Sequence, residues 1–202
     1  MLGLLLKHSK LIIIWGIIFA ALALGVSLVF PRFYSAESQV LIISRDKSGL
    51  DPFTQTKLAE QVGENLTQVL QTEDFFTKVI EQGGTNFDRT RWTNREPRVV
   101  RKQWHRDVGA EMVYGTSLLR LTAYGPTPVE ATNLSTAITQ TLVSHAWEYM
   151  GGDLSLKIVN TPLASRWPTR PNFLLNVVGG FVVGAVLVSV WLVRYKRHAL
   201  WS

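Results

Sequence analysis

The sequence predicts an α+β fold, in which a small ferredoxin-like β-α-β-β-α-β domain lies between two transmembrane helices. Two uncharged apolar blocks, at 11–30 and 173–193, lie near opposite ends of the 202-residue chain. The segment between them alternates strand-like and helix-like hydrophobic patterns. All fifteen acidic residues also fall in this middle segment. These three observations separate a water-exposed domain from two membrane-spanning elements.

The first block contains twenty residues without a charge. A helix of that length, at about 1.5 Å per residue, covers the roughly 30 Å of hydrocarbon in a bilayer. A cleavable signal peptide is the alternative, because Ala21-Leu22-Ala23 offers a small-x-small cleavage site. The apolar run continues to Phe30, however, whereas the apolar region of a signal peptide has about 7–15 residues. We therefore predict an uncleaved transmembrane helix over 11–30.

The second block is interrupted only by Asn176 and Ser189. A buried core helix is the alternative, but a soluble chain of this size could hardly cover a helix that is apolar on every face. We therefore predict a second transmembrane helix over 173–193. Gly180 and Gly184 stand at the GxxxG spacing that allows close approach of two helices. These two glycines are the predicted helix-packing residues.

The charges outside the two blocks predict the orientation in the membrane. Neither tail contains an acidic residue, and basic residues flank both apolar blocks. Under the positive-inside rule, residues 1–10 and 194–202 form cytoplasmic tails and residues 31–172 lie extracytoplasmically. Most of the formal net charge of +6 then comes from the basic residues beside the two membrane segments. We therefore expect contact with membrane lipid and none with nucleic acid. The flanking basic residues are Lys7, Lys10, Arg194, Lys196 and Arg197.

Hydrophobic periodicity and glycine or proline breaks divide the middle segment into short elements. Glycine pairs at 83–84 and 151–152 are predicted to end helices, and Gly115-Thr116 is predicted to form a hairpin turn. Residues 160–172 contain three prolines and are predicted to form a stiff connector to the second apolar block. The predicted strands are 34–44, 108–114, 117–124 and 154–159, and the predicted helices are 54–72, 73–82, 98–104 and 128–150.

The sequence argues against an enzyme. There is no cysteine, which excludes disulfides, thiolate nucleophiles and cysteine-bound zinc. The four histidines do not form a metal-binding spacing, and the sequence has neither a phosphate-binding GxxxxGK[ST] loop nor a GxSxG motif. We therefore predict no catalytic, cofactor-binding or metal-ligating residue.

A basic stretch between residues 89 and 106 is interleaved with two tryptophans. Arginine forks beside indole faces could hold acidic sugars or lipid headgroups. The alternative is a solvated connector stabilised by salt bridges, because acidic residues partly compensate the charge. The candidate glycan or headgroup patch consists of Arg91, Trp92, Arg98, Arg101, Trp104 and Arg106.

A membrane-proximal motif is predicted where the middle segment joins the two apolar blocks. On one side, Pro31–Ala36 leads into the first predicted strand. On the other, prolines precede a glycine-rich span. The motif residues are Pro31, Tyr34, Ala36, Pro162, Pro168, Pro171 and Asn172.

Together with Ser117–Leu121 and the following Pro128, Ala131 and Asn133, these junctions resemble the chain-length determinant (Wzz-type) family of polysaccharide co-polymerases. The resemblance includes the short capsule or exopolysaccharide members of the family, which act beside a separate tyrosine kinase. The large helical extension of the longer members is absent.

The resemblance implies a homo-oligomer in the bacterial cytoplasmic membrane. It also implies a non-catalytic role in setting the length, or supporting the export, of lipopolysaccharide O-antigen, capsule or exopolysaccharide. The implied partners are the polymerase or export machinery and a separate tyrosine kinase. An extracytoplasmic sensor or ligand-binding module, and a membrane-anchored enzyme, remain the alternatives from other functional classes.

Overall fold

The computed structural model describes residues 8–44, 51–82, 88–93, 95–151 and 154–199. The chain forms two compact units, one containing residues 1–32 and 168–202 and the other Phe33–Trp167. The first unit contains α1 (Ser9–Val29) and α6 (Phe173–Ala199). The second contains β1 (Tyr34–Ser44), α2 (Pro52–Val69), α3 (Glu73–Gln82), a 3₁₀ turn (Arg89–Arg91), α4 (Pro97–Asp107), β2 (Val108–Val113), β3 (Leu118–Gly125), α5 (Pro128–Met150) and β4 (Leu154–Ala164).

The four strands form one antiparallel sheet in the order β2-β3-β1-β4. β2 and β3 form a hairpin, and Gly115 in its turn has φ +75°, a conformation that favours glycine. The helical connection from β1 to β2 and the one from β3 to β4 each pass over one intervening strand. The predicted combination of helices and strands in one α+β unit is therefore confirmed, and all pairings in the sheet are antiparallel.

Alternation along the strands buries one face of the sheet. In β3, Leu119, Leu121 and Ala123 are buried, while their neighbours are only partly buried. In β1, Val40 and Ile42 are buried on the same side. Helices α2 and α5 pack against this face, and buried side chains of α3 and α4 extend the core.

Both packing helices begin in the same way, with a capping side chain followed by proline at the first helical turn. The Asp51 carboxylate accepts a hydrogen bond from the Thr54 backbone N–H at 3.2 Å before α2. The Thr127 hydroxyl accepts one from the Glu130 N–H at 3.2 Å before α5. Capping satisfies otherwise unpaired backbone donors, and proline fits the first turn because it lacks one.

The predicted connector over 160–172 begins too early. β4 continues to Ala164 and pairs with β1, so Pro162 lies in a strand and the predicted strand 154–159 is too short. β4 is an edge strand, and the register shifts between Gln39 and Val40 and between Glu37 and Gln39. Edge strands and bulges tolerate the missing N–H of proline, which explains why Pro162 does not end the strand.

Other predicted bounds also differ. α4 extends from Pro97 to Asp107 rather than over 98–104. α6 continues as helix to Ala199, through most of the predicted tail 194–202. Gly151 does end α5, with φ +84°, whereas the predicted glycine stop at 83–84 lies outside the described residues.

An ionic cluster joins α3 to α5. Lys78 Nζ lies 2.6 Å from Glu148 Oε2, 3.0 Å from Asp74 Oδ2 and 3.1 Å from the Tyr149 hydroxyl. The hydrogen bond to Glu148, followed by that to Tyr149, raises the pKa of Lys78. The Tyr149 hydroxyl donates to Asp74, and this bond, followed by that from Lys78, lowers the pKa of Asp74.

Because the pKa of Asp74 is lower in the folded than in the unfolded chain, its contribution is present above the unfolded pKa and is lost as the pH falls. We expect Asp74→Asn to lower the unfolding midpoint at neutral pH. The difference from wild type should shrink below the ordinary aspartate pKa of about 3.9. Denaturant unfolding from neutral to acidic pH measures this. Glu81→Gln, an exposed change on the same helix, is the control, and an equal pH response in both variants would contradict the assignment.

Gly125 ends β3 where the chain approaches the start of α5. A Cβ on Gly125 would lie 2.6 Å from the Ala131 backbone nitrogen, and a backbone atom cannot move aside cheaply. We expect Gly125→Ala to destabilise the protein by about 1–3 kcal/mol. Gly109 in β2 has open space around its Cβ position, so Gly109→Ala should leave stability unchanged or raise it by up to about 1 kcal/mol. Denaturant unfolding of the two variants checks this contrast.

Candidate functional site

The first unit is a pair of long apolar helices. Ser9–Val29 and Phe173–Arg194 are both long and apolar enough to cross a membrane. Only 17% of the apolar stretch of the first helix and 6% of that of the second are buried inside the protein. A core helix of a soluble protein would be mostly buried, so these exposures argue against that alternative for either helix.

Small residues lie where α1 and α6 approach each other. A Cβ on Gly180 would meet the Ala23 Cβ at 2.7 Å and the Phe19 carbonyl oxygen at 2.8 Å. A Cβ on Gly184 would meet the Phe19 Cβ at 2.7 Å. Gly16 on α1 in turn faces the Phe181 ring. The GxxxG face of α6 is therefore occupied by α1 of the same chain.

A polar contact also joins the two helices. Asn176 Nδ2 donates to the Ser27 hydroxyl oxygen at 2.7 Å, and Ser27 Oγ donates to the Ala23 carbonyl at 2.9 Å. Ser27 is buried. In an apolar environment such a bond satisfies groups that would otherwise lack partners, with a typical strength of about 0.6 kcal/mol. Asn176, which interrupts the second apolar block, thus bonds to the other helix.

In the second unit, four of the six predicted patch residues line one pocket of about 360 Å³. The patch residues in its wall are Trp92, Arg98, Arg101 and Trp104, joined by Gln71, Glu73, Phe76 and Arg95 among others. Gln71 lies between α2 and α3, and Glu73 and Phe76 lie in the first turn of α3. No sequence motif marks these three residues, so they could not be predicted as part of the site. Arg95 belongs to the basic stretch and could have been included on charge alone.

The two tryptophans of the patch are core residues. Trp104 is 2% exposed, and its indole Nε1 donates to the Leu70 carbonyl at 2.9 Å. Trp92 packs edge-to-face on Trp104 with ring centroids 5.5 Å apart, and Phe76 contacts both rings. Their faces are therefore used in packing. The expectation that indole faces would be available to a ligand is wrong for this reason.

Arg91 and Arg106 lie apart from the pocket and pair with a buried carboxylate. Arg91 Nη2 lies 2.6 Å from Asp107 Oδ2, and Arg106 Nε lies 2.9 Å from Asp107 Oδ1. Asp107 is 1% exposed, so its charge needs both partners. The two guanidinium groups also lie over the Phe33 ring, at 5.3 and 5.4 Å from its centroid. This part of the patch corresponds to the salt-bridged alternative.

The residues of the membrane-proximal motif have separate local roles. Tyr34 opens β1 and pairs with Gly125, while Ala36 is fully buried and pairs with Ala164 of β4. Pro162 lies in β4. Asn172 caps α6, because its side-chain oxygen accepts a hydrogen bond from the Leu175 N–H at 3.2 Å. Pro31 is exposed, and Pro168 and Pro171 are partly buried in the unit that contains the two helices.

Among the described ranges, no group of three or more histidine, aspartate or glutamate side chains could hold a metal ion. The arrangement instead offers a cationic pocket in an α+β unit, in a chain that also contains a pair of bilayer-length helices. The protein therefore belongs to the class of chains with two apolar helices of bilayer length and one folded α+β unit between them in sequence.

The family model described as chain length determinant protein (Wzz) matches residues 1–82. The match covers α1, β1, α2 and α3 and confirms the resemblance predicted from the sequence. The proline segment and α6 lie outside the matched residues. None of the curated proteins compared with the chain matches it.

The packing of α1 on α6 can be tested with a matched glycine set. Gly180→Ala and Gly184→Ala each place a Cβ within 3 Å of α1, so we expect each to lower stability by about 1–3 kcal/mol. Gly179 has open space at its Cβ position, and Gly179→Ala should change stability by less than about 0.5 kcal/mol. Thermal unfolding in detergent checks this, and equal effects at all three positions would contradict the packing face.

Proposed function

We propose that this protein is a membrane-anchored, non-catalytic scaffold that regulates the chain length or export of a bacterial surface polysaccharide. The observation that carries this proposal is the Wzz match, which runs from the first apolar helix into the α+β unit. Two further features are consistent with it. The chain has two helices of spanning length, and its folded unit presents a cationic pocket.

The proposed topology has both termini in the cytoplasm and the α+β unit, residues 33–167, outside the cytoplasmic membrane. The basic residues that flank both apolar blocks support this orientation. The exposed apolar surfaces of both helices support their placement in the membrane, since lipid would cover them. We also propose the ferredoxin-like class for the α+β unit, with α3 and α4 as additions, and the strand order β4-β1-β3-β2 supports this assignment.

The proposed mechanism needs no bond-making by this chain. Several copies associate through their helices and folded units and surround the polymerase or export machinery. The assembly then sets how long a growing glycan stays with the polymerase. A separate tyrosine kinase acting from the cytoplasm is a further proposed partner, with the basic C-terminal segment as its accessible contact.

Deletion of the gene tests the proposal. We expect the surface polysaccharide to change in length distribution or in amount, and the wild-type gene to restore it. Size fractionation of polymer from deletion and complemented cells measures this. A deletion strain whose polymer is unchanged in both respects would refute the proposal.

The absence of native cysteine allows a direct test of topology. Lys102→Cys places a thiol on an exposed position of α4, and Ser202→Cys places one in the C-terminal tail. We expect a membrane-impermeant maleimide to label the first variant in cells whose outer envelope is permeabilised and whose cytoplasmic membrane is intact. The second should be labelled only after the cytoplasmic membrane is permeabilised. The reverse pattern would rule out the proposed orientation.

A further inference from the structure

The pocket beside α3 and α4 has a size and charge suited to a small acidic ligand. Its volume of about 360 Å³ falls at the lower end of the range of small-molecule sites, which is about 300–1,000 Å³. Arg95, Arg98 and Arg101 contribute three positive charges to its wall, and Glu73 contributes one negative charge. The wall is therefore cationic on balance and favours an anion.

The three arginines differ in their partners within the protein. Arg101 Nη2 lies 2.8 Å from Glu73 Oε2, and both side chains are well exposed. Arg95 Nη1 donates to the Gln103 side-chain oxygen at a long 3.3 Å. Arg98 is exposed and makes no hydrogen bond or ion pair among the described residues. Its planar guanidinium is thus available to bind a carboxylate through two parallel hydrogen bonds.

Gln71 also lies in the pocket wall, but its amide is held by the fold. Its side-chain Nε2 donates to the Val108 carbonyl at 2.9 Å. Its Oε1 is buried and has no hydrogen-bond partner among the described residues. That oxygen therefore has almost no surface that a ligand could reach, and the anion-binding groups of the wall are the arginines.

The pocket thus calls for an anionic group, and a carboxylate fits the planar guanidinium of Arg98. A uronic acid residue carries such a carboxylate. The aromatic wall does not supply a stacking platform, because Trp92 and Trp104 are buried against Phe76. Recognition by arginine rather than by ring stacking therefore favours an acidic over a neutral sugar.

We propose that this pocket binds a carboxylate-bearing sugar residue of a short saccharide, with Arg98 as the main anion-binding side chain. The choice of a saccharide over another carboxylic acid rests on the proposed function. The requirement for an anion does not, because it follows from the pocket alone.

Equilibrium binding to the purified full-length chain in detergent tests the proposal, with trigalacturonate as the probe. We expect saturable binding that weakens with added salt. Arg98→Gln should lower the affinity at least about tenfold, as expected for the loss of a charge-assisted pair. Lys102→Gln is the matched control, since it removes one positive charge from an exposed position of the same helix outside the pocket wall. It should leave the affinity unchanged.

Other outcomes would overturn the proposal. Equal losses in Arg98→Gln and Lys102→Gln would mean that only net charge matters. Equal affinity for neutral maltotriose would exclude recognition of the carboxylate, and full competition by equimolar inorganic phosphate would indicate a general anion site. Unfolding midpoints of both variants should match wild type, because both side chains are exposed. The gene deletion tests the proposed function separately, so either proposal can fail without the other.

Discussion

The pairing of β1 with β4 is the constraint on which the arrangement of the chain depends. β1 follows α1 and β4 precedes α6, and the two strands are antiparallel neighbours. Ala36, near the start of β1, is therefore opposite Ala164, at the end of β4. Both connections to the apolar helices leave the sheet at the same end.

Within the helical unit, the approach of α1 and α6 is limited by side-chain size. Gly180 and Gly184 allow the backbone of α6 to come within contact distance of Phe19 and Ala23. The bond between Asn176 and Ser27 then adds a directional contact to a surface that is otherwise apolar. Close packing and one polar bond are the interactions expected where water does not drive helix association. Because α1 occupies this face, association between copies would have to use other surfaces of the helices.

Much of the fold could be predicted from sequence because its signals are local. Alternation in β3, the glycine turn at Gly115 and the proline that opens α5 each depend on a few neighbouring residues. The extension of β4 through Pro162 could not be predicted in this way. A proline in isolation indicates a strand break, and only the position of β4 at the sheet edge, beside two register shifts, makes it acceptable.

The basic stretch illustrates the same limit at the candidate site. Charge and aromatic content marked the stretch correctly as unusual, but they could not say which residues face solvent. Burial of Asp107 draws Arg91 and Arg106 into a structural cluster, and packing with Phe76 removes the indole faces from solvent. Gln71 and Glu73, which are distant in sequence, complete the pocket because Trp104 bonds to the carbonyl of Leu70 and joins α4 to the end of α2.

The buried hydrogen bond from Trp104 to Leu70 links the stability of the α+β unit to the geometry of the proposed binding pocket. Trp104 holds α4 against the segment between α2 and α3, and the arginines on the exposed side of α4 are carried with it. The aromatic residues therefore support the wall of the pocket, and the exposed arginines form its proposed ligand-contact surface. Substitution of the buried aromatic residues should lower the stability of the whole unit. Substitution of the exposed arginines should change only the affinity for a ligand, since those side chains contribute little to the core.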